Sequence, residues 1–186
     1  MSNGDPGRAV FVFDPDASYG FVREIRQAGV MPTVGLRYVA AVTGPWKIFK
    51  VMELEGLGEV AERLDAPGDP ETATTFRAAQ VRRSHYRDHT ALVRIETNVA
   101  DPEELLPAIK DVIGEGPTGE AEADVVAGSF DILACVVDDD EAEVRRRIMA
   151  IRDIGGVTRT TSLHVIDYVS TSDHATGHHR VESAAG

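Results

Sequence analysis

Four consecutive residues, Gly128-Ser129-Phe130-Asp131, combine groups that could hold a small zwitterion. Glycine lets a ligand approach the main chain, free N–H groups can hold a carboxylate, and the aspartate can pair with an ammonium. The same residues would serve equally well as a turn followed by an exposed strand charge. A second group, Thr158, Arg159, Thr160, Thr161 and Ser162, is dense in hydroxyls, and Arg159 could fork onto a carboxylate or phosphate. Threonine is also simply favoured in strands. Arg77, Arg82, Arg83, His85, Tyr86, Arg87 and His89 form a basic cluster, read as a solvated strand edge kept from aggregating by its charge. His174, His178 and His179 lie in a glycine-containing tail that gives neither fixed geometry nor a fourth ligand, so no metal is expected. Cys135, within the apolar run 132–137, reads as a buried, inert thiol. His164 is the one histidine in a core strand; an axial haem ligand is one use for it, a structural or surface-facing residue the other. No His, Glu or Cys pair falls where an acid and a base would converge, so no catalytic residues and no cofactor are expected.

The elements that position these residues are clearest in the second half. Residues 91–97 alternate, with Ala91, Val93 and Ile95 on one face and Leu92, Arg94 and Glu96 on the other, the pattern of a half-buried strand. Asp101-Pro102-Glu103-Glu104 gives an N-cap, a first-turn proline and acidic residues, and Leu105, Leu106, Ile109, Val112 and Ile113 form the apolar stripe of a helix ending at Gly114. Strands over 123–127 and 130–137 meet at Gly128-Ser129, which suits a two-residue type II′ turn. Asp138–Asp140 open a second helix carrying Val144, Ile148 and Ile151, and Gly155-Gly156 precede a strand from Thr158 to about Tyr168. The order is βαββαβ, the ferredoxin-like arrangement.

A constant offset of 84 residues lays this unit over the first half: Val42 onto Val126, Gly44 onto Gly128, Trp46 onto Phe130, Arg63 onto Arg147 and Thr74 onto Thr158. The first half then reads as strand 9–13, helix 18–28, hairpin 37–53 turning at Gly44-Pro45, helix 57–65 and strand 74–83. The expected fold class is α+β, with tandem ferredoxin-like units; the family resemblance described below implies that they pack sheet against sheet as a dimeric α/β-barrel-like pseudo-dimer. The units are drawn at 1–88 and 89–169, with 170–186 a disordered tail.

Composition sets outer limits. At 186 residues and 42% hydrophobic, the chain buries one generous core or two small ones that pack on each other. It holds no run of 18 apolar residues and no secretory pattern at its start, and its single cysteine suits a reducing cytoplasm. A net charge of −12 argues against a nucleic-acid surface, which needs clustered Lys and Arg.

The run Val125-Val126-Ala127-Gly128-Ser129-Phe130-Asp131, the acidic helix after it and Gly155-Gly156-Val157-Thr158-Arg159-Thr160-Thr161-Ser162 resemble the effector-binding (RAM) domain of the Lrp/AsnC regulators. The resemblance covers about 78 residues of the second half, in order. No counterpart of those regulators' helix-turn-helix domain is expected here, because the first core strand is expected to begin near residue 9. The resemblance implies a non-enzymatic sensor of a small effector such as an amino acid, forming a homo-oligomer and acting in transcription regulation through a partner protein. Its ligand-binding residues would be Gly128, Ser129, Phe130, Asp131, Thr158, Arg159, Thr160 and Thr161. In the first half Pro45 removes an N–H and Lys47 replaces the aspartate, so only the second half would bind. The alternative is a dimeric α/β-barrel enzyme of the monooxygenase or haem-degrading type, since one architecture hosts many functions.

Overall fold

The computed structural model describes residues 8–29, 36–54, 71–75, 89–115 and 121–170. In chain order these form β1 (Arg8–Asp14), α1 (Gly20–Ala28), β2 (Leu36–Val42), β3 (Ile48–Leu54), β4 (Glu71–Thr75) and β5 (His89–Thr97). A 3-10 turn (Pro102–Leu105), α2 (Leu106–Ile113), β6 (Ala123–Gly128), β7 (Ile132–Asp138), α3 (Glu141–Arg152) and β8 (Val157–Ser170) follow. The proposed helix 57–65, the end of the proposed strand 74–83, the boundary at residue 88, the basic cluster apart from His89 and the tail histidines lie outside the described residues.

The strands make one closed antiparallel barrel in the order β1-β3-β2-β8-β5-β7-β6-β4, returning to β1. The expected tandem pair, with two sheets stacked face to face, is corrected by this closure. The halves meet edge to edge, by main-chain hydrogen bonding, at two seams. At one, β2 runs against β8, from Tyr38 opposite Ser170 to Val42 opposite Val165. At the other, β4 runs against β6, with Ala73 opposite Gly128 and Thr75 opposite Val126. Strand β8 can serve both halves because it is 14 residues long: its first part pairs with β5 and its last part with β2. Closure leaves no free sheet edge among these strands.

Local chemistry explains the helices. In α1, Val22 and Ile25 are buried, and Gly29 (φ 69°) caps the end by donating its N–H to Ile25 O at 3.0 Å. Asp101 accepts from Glu103 N, but the turn that follows is 3-10 and the α-helix begins only at Leu106. Pro107 has no N–H, so it sits without cost in that helix's first turn. Asp140 caps α3 by accepting from Ala142 N at 2.9 Å, and Val144, Ile148 and Ile151 face inward. Helices α2 and α3 cover the outer face of β5, β6 and β7 around Val93, Ile95, Ile132 and Val136. Helix α1 covers Val10, Val12, Val39 and Ile48 on the other side.

Gly156, between α3 and β8, has φ 98°, and a Cβ there would lie 2.8 Å from Val99 Cγ1. Gly156→Ala combines a left-handed backbone with a steric clash, so chemical denaturation should show a loss of about 1–3 kcal/mol. An unchanged midpoint would mean that the loop rearranges freely.

Candidate functional site

Barrel closure gives the strands an inner face shut off from bulk water, and the helices cover part of the outer face. On β5, Leu92 faces inward, and Arg94, two residues on, shares that face. Arg94 is only 6% exposed. Its guanidinium carbon lies 4.1 Å from the Trp46 ring centre, 4.4 Å from Phe130 and 5.0 Å from Phe13, and Nη2 donates to Ser129 Oγ at 3.1 Å. Phe13 meets Phe130 edge-on at 5.6 Å. A desolvated cation over aromatic faces gains about 2 kcal/mol or more. This aromatic group fills the end of the barrel reached by the β2–β3 and β6–β7 loops.

One side-chain layer further along, about 7 Å by strand geometry, lies a small cavity of about 20 Å³, room for one or two water molecules. Phe11, Phe49, Leu92 and Leu133 supply apolar wall, and Glu122, Asp124 and Cys135 supply the polar groups. Both Glu122 oxygens are buried and have no hydrogen-bond partner among the described residues. Burial, with the neighbouring Asp124 charge adding to it, pushes the Glu122 carboxyl up to about 7. Cys135 is half-buried, and burial together with Glu122 holds its thiol well above the usual range, so it is a neutral thiol rather than a nucleophile. A carboxyl poised near neutrality in an apolar cavity can take a proton from a bound molecule and return it.

The sequence-derived candidates are placed elsewhere. Ser129 is the acceptor for Arg94, and Phe130 is 3% exposed in the barrel interior. Asp131 accepts from Thr97 N at 2.7 Å and Thr97 Oγ1 at 3.1 Å, while its own N–H donates to Ile95 O. Its carboxylate therefore anchors the β6–β7 loop to the end of β5. That loop is longer than two residues: Val125 opposite Ile132 is the last ladder pair, and Val126 N donates to Asp131 O. Beyond that point β6 leaves β7 for β4, so the expected tight turn opens into a loop spanning the two partners. Gly128 is opposite Ala73 in that seam. Thr158 donates to Glu96 O, Arg159 pairs with Glu96 at 3.5 Å on the surface, and Thr160 and Thr161 are half-buried opposite Ile95 and Arg94. None of the eight lines the cavity.

Neither Glu122 nor Arg94 is among the candidates that the sequence offers. For Glu122 a signal existed: Glu122, Asp124 and Val126 alternate with Ala121, Ala123 and Val125, two acids on one face of a strand whose other face is apolar.

No family model and no curated protein matches the sequence. Among solved structures, one from Lactobacillus acidophilus NCFM, described as a candidate monooxygenase, shares the fold with a TM-score of 0.51 and 10% identity, covering 89% of this chain and 96% of its own. An anthrone oxidase-like protein aligns at 0.47 and 9% identity, over 91% of this chain and 95% of its own. A heme-binding protein from Thermus thermophilus aligns at 0.45 and 9% identity, over 87% and 92%. The first of these similarities shows a barrel fold. The comparisons replace the Lrp/AsnC resemblance, and with it the readings as a transcription-regulating effector domain, a non-enzyme and an amino-acid binder. The geometry gives the physical reason for the last, because the Asp131 carboxylate meant for an ammonium is already bonded to Thr97.

Haem does not fit the interior as built. Phe11, Phe13, Phe49 and Phe130 fill it. His164 lies between inward-facing Leu163 and Val165, and so points outward, toward the Glu141 end of α3. No helix among the described residues is long and apolar enough to cross a membrane.

The Glu122 carboxyl is easier to protonate in the folded chain than in the unfolded one. Its stabilising contribution is full below the unfolded value near 4.5 and is lost as pH rises toward 7. Glu122→Gln should therefore match the parent at pH 4.5 and exceed it by roughly 2–3 kcal/mol at pH 8. Thermal melts across that range check this, and equal melting points at pH 8 would place the carboxyl in an ordinary environment.

Proposed function

We propose that the chain is a barrel enzyme of the monooxygenase type, in which Glu122, at the small barrel cavity, is the proton acceptor for a substrate C–H presented at the cavity's mouth. The observation that carries this reading is the buried, unpartnered Glu122 carboxyl, ionising near neutrality against apolar walls. The description of the fold neighbour as a candidate monooxygenase supports it. A C–H made acidic by an adjoining ring or carbonyl gives its proton to the Glu122 carboxylate, and the anion left behind is the electron donor to dioxygen. One oxygen atom stays on that carbon and the other leaves as water, so a methylene and O2 become a carbonyl and water. The apolar walls, Phe11 and Phe49 among them, keep the carboxylate poorly solvated, which raises its basicity. The single cysteine accords with a reducing compartment such as the cytoplasm.

Oxygen uptake with small carbon acids, whose C–H adjoins a ring or a carbonyl, tests this. The rate should rise with pH and level off above about 7, because the base must be ionised. Glu122→Gln should lower kcat/KM by about 10²-fold or more. A Glu122→Gln protein with the parent rate would remove Glu122 from the chemistry.

A further inference from the structure

We propose that Glu122 exchanges its proton through a water molecule bound in the barrel cavity, and that Cys135 is the residue that positions this water. The proposal rests on the reading of Glu122 as the base and names how a proton reaches it.

Both Glu122 oxygens are buried and have no hydrogen-bond partner among the described residues. A substrate at the mouth of the cavity cannot touch them, whereas direct transfer would need heavy atoms within about 2.6–3.2 Å of each other. Between the two lies the cavity, and its volume of about 20 Å³ holds one or two water molecules and nothing of substrate size. A buried water needs about 2–4 polar partners. Among the described lining residues Glu122, Cys135 and Asp124 offer polar groups, while Phe11, Phe49, Leu92 and Leu133 offer only apolar surface.

The backbone sets Glu122 and Cys135 side by side. Ala123 lies opposite Ala134 in the β6–β7 ladder, and Cys135 N donates to Glu122 O at 2.8 Å, which carries the pairing one residue further. Residues opposite one another in such a ladder have Cβ atoms about 4.5–5.5 Å apart, so both side chains reach the same small space. Burial and the neighbouring Glu122 keep the Cys135 thiol neutral, and its S–H remains to donate to the water oxygen. The water in turn donates to the Glu122 carboxylate. Transfer then balances in a single step. The substrate C–H bond breaks and its proton goes to the water oxygen, while one of the water's own protons passes to a Glu122 oxygen. The electron pair stays on carbon, and the water is regenerated.

Crystals of the parent should show a water within hydrogen-bonding distance of a Glu122 oxygen. Cys135→Met fills the space with a longer side chain, so its crystals should lack that water, and its kcat/KM for oxygen uptake should fall about 10²-fold, toward the Glu122→Gln rate. Circular dichroism checks that the variant folds; if it does not, the parent crystal and a solvent comparison decide. Direct abstraction moves no solvent proton, whereas the relay breaks an O–H bond of water. With a carbon acid whose deuteration at the reacting C–H slows uptake, parent kcat/KM at the pH plateau should therefore be lower in D2O than in H2O. A parent crystal with no water at Glu122 overturns the proposal, as does equal kcat/KM in the two solvents or a folded Cys135→Met with the parent rate. Equal rates in the two solvents with uptake lost in Glu122→Gln would keep the base and remove the relay. A parent without oxygen uptake would remove base and relay together and leave a water site alone.

Discussion

Closure of the sheet governs the rest of the molecule. Main-chain hydrogen bonds at the β2–β8 and β4–β6 seams join the two halves into one ring, and a ring of strands has an inside as well as a helix-covered outside. Every polar side chain that the strand alternation turns inward must then be accommodated away from bulk water. The barrel does this in two ways. Arg94 lies over three aromatic rings and donates to Ser129. Glu122 meets no donor among the described residues, and the same burial that isolates it favours its neutral form.

The two halves contribute unequally to this interior. Trp46 and Phe130 occupy matching positions at the 84-residue offset, and both lie over the same guanidinium. The repeat is thus used symmetrically at the closed end. At the cavity it is not. The offset places Glu122 over Tyr38 and Asp124 over Ala40, both buried in the interior cluster. Tyr38 packs its ring against Phe49 and Tyr168 at 6.1 and 5.8 Å. One half fills its share of the barrel with aromatic bulk, and the other leaves space beside two carboxylates.

Much of this organisation could be read before any coordinates. The capping aspartates at 101 and 140 and the apolar stripe of Val144, Ile148 and Ile151 act locally, so local chemistry announces them. The path of the sheet could not be read so easily. An alternating strand shows which residues share a face, but not whether the polar-looking face meets water or the inside of a barrel. The strand that carries Leu92, Arg94 and Glu96 reads only as half-buried, and Arg94 is 6% exposed. Glu122 escaped notice for the same reason, since an acid beside an alanine at a strand start ordinarily faces water. The Gly128 turn was misjudged because its length depends on a partner from the other half: β6 leaves β7 to pair with β4. Asp131 looked available because Thr97, which uses both of the bonds that hold it, lies 34 residues away in sequence.

The central claim is that a glutamate inside this barrel changes its protonation state near neutral pH. Carbon-13 NMR of the carboxyl carbons in glutamate-labelled protein, with the Glu122 resonance assigned by its disappearance in Glu122→Gln, reads this directly. The account predicts a Glu122 midpoint at about 7, well separated from the surface glutamates. A midpoint at the ordinary glutamate value of about 4.3 would contradict it, because a solvated Glu122 could be neither the buried carboxyl nor the base.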